Sequence, residues 1–279
     1  MANENKEPFI TVNTLLFTVI NEESSNYRKL PKKVLKVLLV KRKQEPYKDY
    51  WAIPSRFVNI DENLEDTAKK ELIEQTNIDD VYMEQLYTYG DVRRSPYSRV
   101  ISCCYMSLVN SCNVYSEKSQ WFEIQYKLIR EDKKNINNGY INKKTYQLIL
   151  KGKEILESSI DVIIEVEEKK NKIKKEINKS DNLAFDHALA IFHGIERLRN
   201  KIEYTDLAFN LMPDEFTLTE LQQVYELILN KQLLKANFRR KIADMVIETD
   251  SYTKDKGHRP SKLYRFNPNW INFNIEKRY

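Results

Sequence analysis

Glycine and cysteine are both scarce in this chain, with 5 and 3 copies among 279 residues. A loop that cradles phosphate in its backbone amides depends on closely spaced glycines, so no such loop is expected. The cysteines form no CxxC pair, and an odd count without a disulfide framework favours a reducing, cytoplasmic setting. Two of them, Cys103 and Cys104, lie in an apolar run and are predicted to be buried thiols.

Long apolar runs are also missing. No stretch approaches roughly 18 consecutive apolar residues, and residues 1–8 are polar and acidic, so we expect no membrane-spanning helix, signal peptide or membrane partner. The net charge of +5 is too small to indicate nucleic acid, but its distribution is uneven. Residues 182–230 carry three basic and eight acidic side chains, whereas residues 231–265 carry ten basic and four acidic ones. This basic block predicts a phosphate-binding surface near the C-terminus.

A length of 279 residues suggests two domains. In the first, apolar and β-branched runs predict strands at residues 9–20, 34–40 and 100–108. Residues 62–76 predict an amphipathic helix, because apolar side chains recur at helical spacing at Leu64, Ala68, Leu72 and Ile73. Further strands are predicted between residues 126 and 167. The tract EEKKNKIKKEINKSD, residues 167–181, is interpreted as a solvated turn or a flexible linker.

The last third of the chain predicts a winged helix. Thr217 and Glu220 match the S/T-x-x-E capping box, with Thr217 as the cap. Helices are predicted at residues 186–200, 218–229 and 235–245, and strands at residues 246–249 and 262–266. Helices followed by a basic hairpin are the order of elements in winged-helix DNA-binding domains.

Residues 56–78, RFVNIDENLEDTAKKELIEQTNI, resemble the Nudix box, G-x5-E-x7-R-E-U-x-E-E-x-G-U, in which U is aliphatic. The preceding WAIP also matches the usual lead-in. The positions that agree with the pattern are Glu62, Glu71, Leu72, Glu74 and Ile78. Those that depart from it are Arg56 and Asn77, which replace glycines, Lys70, which replaces arginine, and Gln75, which replaces the second glutamate of a pair.

This resemblance implies a pyrophosphohydrolase site in which helical carboxylates bind Mg²⁺ or Mn²⁺ and the metal activates water. The candidate catalytic residues are Glu71, Glu74 and Gln75, which share one helix face, and Glu71 and Glu74 are the candidate metal ligands. Gln75 removes a negative charge, and Arg56 could pair with either glutamate and occupy the place of the metal. A merely solvated acidic face is the alternative.

Three further stretches resemble a family of Nudix-related transcriptional regulators that includes repressors of NAD biosynthesis and sugar-responsive regulators. They are residues 87–109, residues 184–242 and the tail GHRPSKLYRF at residues 257–266, in which His258 interrupts the family's G-R-P-x-x-L-Y-R-F pattern. The resemblance implies an α/β (α+β) Nudix-like sandwich at residues 1–183, with a strand-rich insertion at residues 125–180. It implies a C-terminal winged helix-turn-helix domain at residues 184–279.

Members of this family bind a nucleotide sugar such as ADP-ribose, or a pentose, and bind operator DNA, usually as dimers. Many lack hydrolase activity. The resemblance therefore implies a ligand-responsive, DNA-binding regulator that has lost hydrolysis and acts as a homodimer. One alternative is a Mg²⁺-dependent ADP-ribose pyrophosphatase with an accessory winged helix. Another is a winged helix that serves only for dimerisation.

The candidate DNA contacts crowd the first two turns of the helix predicted from residue 235, where a recognition helix meets bases and phosphates. They are Asn237, Arg239, Arg240 and Lys241. Phe238 and Ile242, at i and i+4, are expected to anchor this helix to the core. The wing adds Lys256, His258 and Arg259, which can reach phosphate or a minor groove.

The candidate ligand contacts lie in the segment YGDVRRSPYSR, residues 89–99. Arg93, Arg94 and Arg99 are predicted to meet phosphates, with Tyr97 against a base or ribose, and Arg56 is a further candidate. A plain surface loop is the alternative interpretation. The histidines show no metal-binding spacing, so structural or phosphate-contact roles are expected for them.

Overall fold

The computed structural model describes residues 7–22, 31–79, 81–110, 118–168, 170–253 and 260–270. The strands in these ranges are β1 (Phe9–Asn21), β2 (Lys33–Lys41), β3 (Trp51–Ala52), β4 (Ser55–Phe57), β5 (Tyr82–Tyr89), β6 (Val100–Val109), β7 (Ser119–Ile136), β8 (Gly139–Lys151), β9 (Ile155–Glu167), β10 (Lys170–Ser180), β11 (Val246–Tyr252) and β12 (Lys262–Phe266). The α-helices are α1 (Leu64–Thr76), α2 (His187–Ile202), α3 (Leu218–Leu229) and α4 (Lys235–Ile242). Short 3₁₀ helices span Leu207–Leu211 and Ala243–Met245.

The chain forms two compact units. The first comprises the described residues within 1–17, 36–107 and 113–195, and the second those within 18–35, 108–112 and 196–279. Helix α2 begins in the first unit and ends in the second. The domain boundary between residues 183 and 184 stays a prediction.

One large sheet has the strand order β10-β9-β8-β7-β2-β1-β6-β5, with β3 paired to β2 and β4 paired to β1. Its interior strand β1 is buried from Val12 to Val19, in keeping with its nearly continuous run of apolar and β-branched residues. Helix α1 packs on this sheet through Ala68, which shares a buried cluster with Val12 and Tyr105. The α/β architecture predicted from the sequence is confirmed.

The interpretation of residues 167–181 as a turn or linker is wrong. Residues 170–180 form strand β10, which pairs antiparallel with β9 from Lys170 opposite Glu167 to Ser180 opposite Ser158. The lysine-rich composition concealed this strand, because solvated charges are typical of both loops and sheet edges. At an edge, lysines also discourage pairing with other chains. Two isoleucines, Ile173 and Ile177, lie opposite Ile164 and Ile160 of β9.

The second unit contains α3, α4 and the antiparallel pair β11–β12. The predicted capping box is present, since Thr217 Oγ1 accepts from the Glu220 amide at 3.1 Å and the Glu220 carboxylate accepts from the Thr217 amide at 2.9 Å. The helix predicted over residues 235–245 ends at Ile242 and continues as a 3₁₀ turn. Among the described residues, no helix is long and apolar enough to cross a membrane.

Candidate functional site

The first unit contains a pocket of about 680 Å³. Its walls come from β1, β4, α1, the loop after β2, the loop between β5 and β6, and the segment that precedes α2. Charged side chains face it from two sides. Arg56, Glu71 and Glu74 lie on one side, and the other charged lining residues are Arg42, Glu45 and Arg94.

The pairing of β4 with β1 places Arg56 opposite Val12, and β4 contacts α1. The Arg56 Nε atom donates to Glu71 Oε2 at 3.3 Å, and Nη2 donates to Glu74 Oε2. Glu71 and Glu74 are three residues apart and therefore share one face of α1. Arg56 thus pairs with both glutamates that the sequence offers as metal ligands.

Glu71 is buried, and the side chain of Gln75, one helical turn away, forms a hydrogen bond to it. Gln75 Nε2 donates to Glu71 Oε1 at 3.0 Å, and Gln75 Oε1 accepts from Ser119 Oγ at 2.6 Å. Burial raises the pKa of Glu71, although the Gln75 hydrogen bond and the Arg56 charge both lower it. A glutamate side chain at position 75 would have no N–H to donate and would repel the Glu71 carboxylate. The glutamine found here instead donates a hydrogen bond to Glu71.

The two remaining departures from the Nudix pattern have local explanations. Lys70 donates to Glu62, which also accepts from Thr67 Oγ1 at 3.2 Å, and the Lys70 hydrogen bond lowers the pKa of Glu62 to about 2. Asn77 ends α1 in the left-handed conformation at φ 54°, and its amide donates to the Ile73 carbonyl at 2.7 Å. Asparagine tolerates this conformation, so Asn77 caps the helix where the pattern has glycine.

The donor set does not fit Mg²⁺. This ion prefers anionic oxygen ligands in an octahedral arrangement, but the guanidinium of Arg56 contacts both Glu71 and Glu74. The other oxygen of Glu71 accepts from Gln75, and Glu62 is paired with Lys70. Across the described ranges, no group of three or more His, Cys, Asp and Glu side chains is arranged to hold a metal ion. A divalent cation at this face would have to displace Arg56 first.

The far side of the pocket contains residues that the sequence interpretation missed. The guanidinium carbon of Arg42 lies 4.8 Å from the centre of the Phe185 ring, and that of Arg94 lies 5.8 Å from it. Burial lowers the pKa of Arg42. Nothing in the sequence marks Arg42 except that it follows a predicted strand. Phe185 precedes a predicted helix, and the stretch that contains it resembles the family without marking any one residue as a ligand contact. Together they offer cations beside an aromatic face.

His187 forms the floor of this side of the pocket. It is buried, and burial lowers its pKa to about 3, so the imidazole is neutral. The Ile53 amide donates to Nδ1 at 3.0 Å, which puts the ring proton on Nε2. Nε2 lies 3.3 Å from Nδ2 of Asn13, and since two donors cannot bond each other, the Asn13 amide is assigned with its oxygen towards the ring. Because His187 also lines the pocket, a structural role and a phosphate contact both stay predictions for it.

The five predicted ligand residues divide into two groups. Arg56 and Arg94 line the pocket, whereas Arg93, Tyr97 and Arg99 are not part of its lining. Arg93 and Tyr97 are exposed, and Arg99 donates to the carbonyls of residues 90 and 91 at 2.8 and 3.0 Å. Arg99 therefore shapes the loop that carries Arg94. Contacts from these three residues to a ligand stay predictions.

The predicted recognition helix α4 exposes most of its polar side chains. Phe238 and Ile242 are buried, as expected, while Asn237, Arg239, Arg240 and Lys241 are exposed. Lys241 lies back against Tyr225, with Nζ 5.5 Å from the ring centre, and partial burial lowers the pKa of Lys241. The wing candidates Lys256, His258 and Arg259 lie outside the described residues.

Comparison with known proteins matches two stretches of the chain to described families. The NUDIX domain matches residues 26–130, and the NrtR DNA-binding winged helix domain matches residues 208–266. The chain is 31% identical over 278 residues to the ADPR responsive transcriptional repressor NtrR of Acinetobacter baylyi, covering 97% of this chain and 86% of that protein.

Solved structures also cover nearly the whole chain. Shewanella oneidensis NrtR complexed with a 27mer DNA has a TM-score of 0.62 and 25% identity over 94% of this chain and 95% of that one. A MutT/nudix family protein from Enterococcus faecalis has a TM-score of 0.65 and 21% identity over 96% and 89%, which shows the fold alone. The chain therefore belongs to the NrtR family of transcriptional regulators, in which a Nudix domain is joined to a C-terminal winged helix.

Proposed function

We propose that this protein is a DNA-binding transcriptional regulator that binds ADP-ribose, or a related nucleotide sugar, without hydrolysing it. The observation that carries the proposal is the position of Arg56 between Glu71 and Glu74. A cation supplied by the protein stands where a hydrolase would need a metal. The pocket is thereby suited to binding a ligand rather than to activating water.

The chemistry of the pocket supports a ligand that combines a diphosphate with a flat ring. Arg42, Arg56 and Arg94 all line it, and arginine is the side chain best suited to phosphate oxygens. Phe185 adds an aromatic face for a base. A volume of about 680 Å³ lies within the usual range for sites that bind cofactors and other small molecules.

The exposed face of α4 supports recognition of DNA. Asn237 and Arg240 lie one turn apart, and their side chains are joined by a 3.4 Å hydrogen bond. Asparagine can pair with adenine and arginine with guanine in the major groove. We further propose that the protein acts in the cytoplasm as a homodimer, with two α4 helices about 34 Å apart to reach successive major grooves.

Binding to genomic fragments tests the regulator directly. The protein is expected to prefer fragments near its own operon over bulk DNA at physiological salt. Asn237→Ala with Arg240→Ala should weaken this binding at least about tenfold, since each base contact contributes roughly 1–3 kcal/mol. Arg130→Ala, which removes an exposed arginine from β7, is the control and should leave affinity unchanged. Equal affinity of the wild-type protein for all fragments would overturn the proposal.

Calorimetry with ADP-ribose, ribose 5-phosphate and a free pentose tests the ligand, and ADP-ribose should bind best. Hydrolysis is assayed with Mg²⁺ or Mn²⁺ in the same samples. Turnover above about 1 s⁻¹ that disappears in Glu74→Gln would contradict a binding-only site. It would favour the Nudix hydrolase with an accessory winged helix instead.

Light scattering checks the dimer, and a monomer at the concentrations that bind DNA would exclude it.

A further inference from the structure

Three consecutive residues connect the pocket to the start of α2. Phe185 and His187 line the pocket, and Asp186 lies between them. The carbonyl of Asp186 accepts the first amide hydrogen bonds of the helix, from Leu189 at 3.0 Å and Ala190 at 3.1 Å. The N-terminal turn of α2 is therefore built on the wall of the ligand site.

The carboxylate of Asp186 forms a two-pronged ion pair with Arg94. Arg94 Nε and Nη2 donate to its two oxygens at 2.9 and 2.8 Å, and the side chains are only 5% and 17% exposed. A bidentate pair shielded from water is strong and geometrically specific. Arg94 also lines the pocket, so the same guanidinium faces both Asp186 and any anion that enters.

Helix α2 continues from this pair into the second unit without interruption, from His187 to Ile202. Within the second unit, Arg199 Nε donates to the Ile228 carbonyl at 2.9 Å. Ile228 lies in the last turn of α3, where carbonyls have no partner within their own helix. The last turn of α2 is thus bonded to the helix that precedes α4.

We propose that the Arg94–Asp186 ion pair is a ligand-operated latch. A diphosphate in the pocket pairs with Arg94 in place of Asp186 and releases the first turn of α2. Helix α2 then transmits this change to the second unit. The proposal rests on the proposed function, because it assumes an anionic ligand and DNA binding.

The test compares the affinity for DNA with and without ADP-ribose, measured by fluorescence anisotropy on the full chain. Coupled sites typically differ by about 5- to 150-fold, and such a ratio is expected for the wild type. In Asp186→Asn the latch is already open, so ADP-ribose should bind at least as tightly while the ratio falls below about twofold. Asp181→Asn is the control, because Asp181 pairs with Lys179 on the surface at 2.7 Å and should keep the wild-type ratio.

Two results separate the latch from the function on which it rests. A wild type whose DNA affinity does not respond to ADP-ribose overturns the proposed function itself. A responsive wild type with a similar ratio in Asp186→Asn overturns the latch alone. Amide hydrogen exchange of residues 187–191 in the wild type needs no variant. ADP-ribose should speed this exchange several-fold, and unchanged or slower exchange overturns the latch.

Discussion

Replacing Arg56 by alanine removes the cation that pairs with both Glu71 and Glu74. Glu71 is only 8% exposed, whereas Glu74 is 62% exposed, so the effect comes mainly from Glu71. Removing one partner of a buried pair costs about 3–5 kcal/mol, and of a surface pair about 0–1 kcal/mol. Arg56 itself is 36% exposed, so we expect an intermediate loss of about 2 kcal/mol in the free energy of unfolding at pH 7.5.

The loss depends on pH in a defined direction. Burial already raises the pKa of Glu71, and the Arg56 charge opposes that rise, so removing Arg56 raises the pKa further. A carboxyl group with a raised pKa binds more protons in the folded state, and stability then falls as pH increases through the folded pKa. The stability lost in Arg56→Ala is therefore largest at pH values above the pKa of Glu71 in the folded variant. It shrinks as the pH falls below the pKa of Glu71 in the folded wild type.

Urea unfolding at pH 7.5 and pH 4.5 measures this difference. Arg93→Ala is the matched control, because its side chain is 93% exposed and 3.9 Å from Asp91, and a change within about 0.5 kcal/mol is expected. If Arg56→Ala loses the same stability at both pH values, or no more than the control, the description of Glu71 as a buried carboxylate held by Arg56 is refuted.

Two further substitutions test the packing of the first unit. The difference in free energy of unfolding between the wild type and His187→Gln should shrink by about 2 kcal/mol from pH 8 to pH 5. The reason is that folding holds the imidazole neutral, with a pKa of about 3, while the unfolded chain takes up a proton; parallel urea titrations decide the point. Gly194→Ala should cost about 1–2 kcal/mol despite better helix propensity, because its Cβ would lie 2.5 Å from Leu15 and 2.7 Å from Phe17. Gly90→Ala, whose Cβ would meet nothing closer than 4.0 Å, is the control, and a higher melting temperature for Gly194→Ala would contradict this packing.

The elements that the sequence predicted well are those with strong local signals. The strands β1, β2 and β6 were found because consecutive buried positions select apolar residues, and α1 was found because burial of one face recurs at helical spacing. The start of α3 was found because Thr217 and Glu220 satisfy each other's backbone amides within four residues. Strand β10 was missed because its pairing with β9, rather than its own composition, makes it a strand.

The candidate site divides in the same way. The sequence alone determined the family resemblance, the shared helix face of Glu71, Glu74 and Gln75, and the concentration of basic residues after residue 231. Only the tertiary structure decided that Arg56 pairs with both glutamates and that Arg94 reaches Asp186, 92 positions further along the chain. It also turned Lys241 back towards Tyr225. Local spacing determines which side chains share a helix face, but contacts between distant segments depend on how strands pair and helices pack, and no short stretch of sequence carries that information.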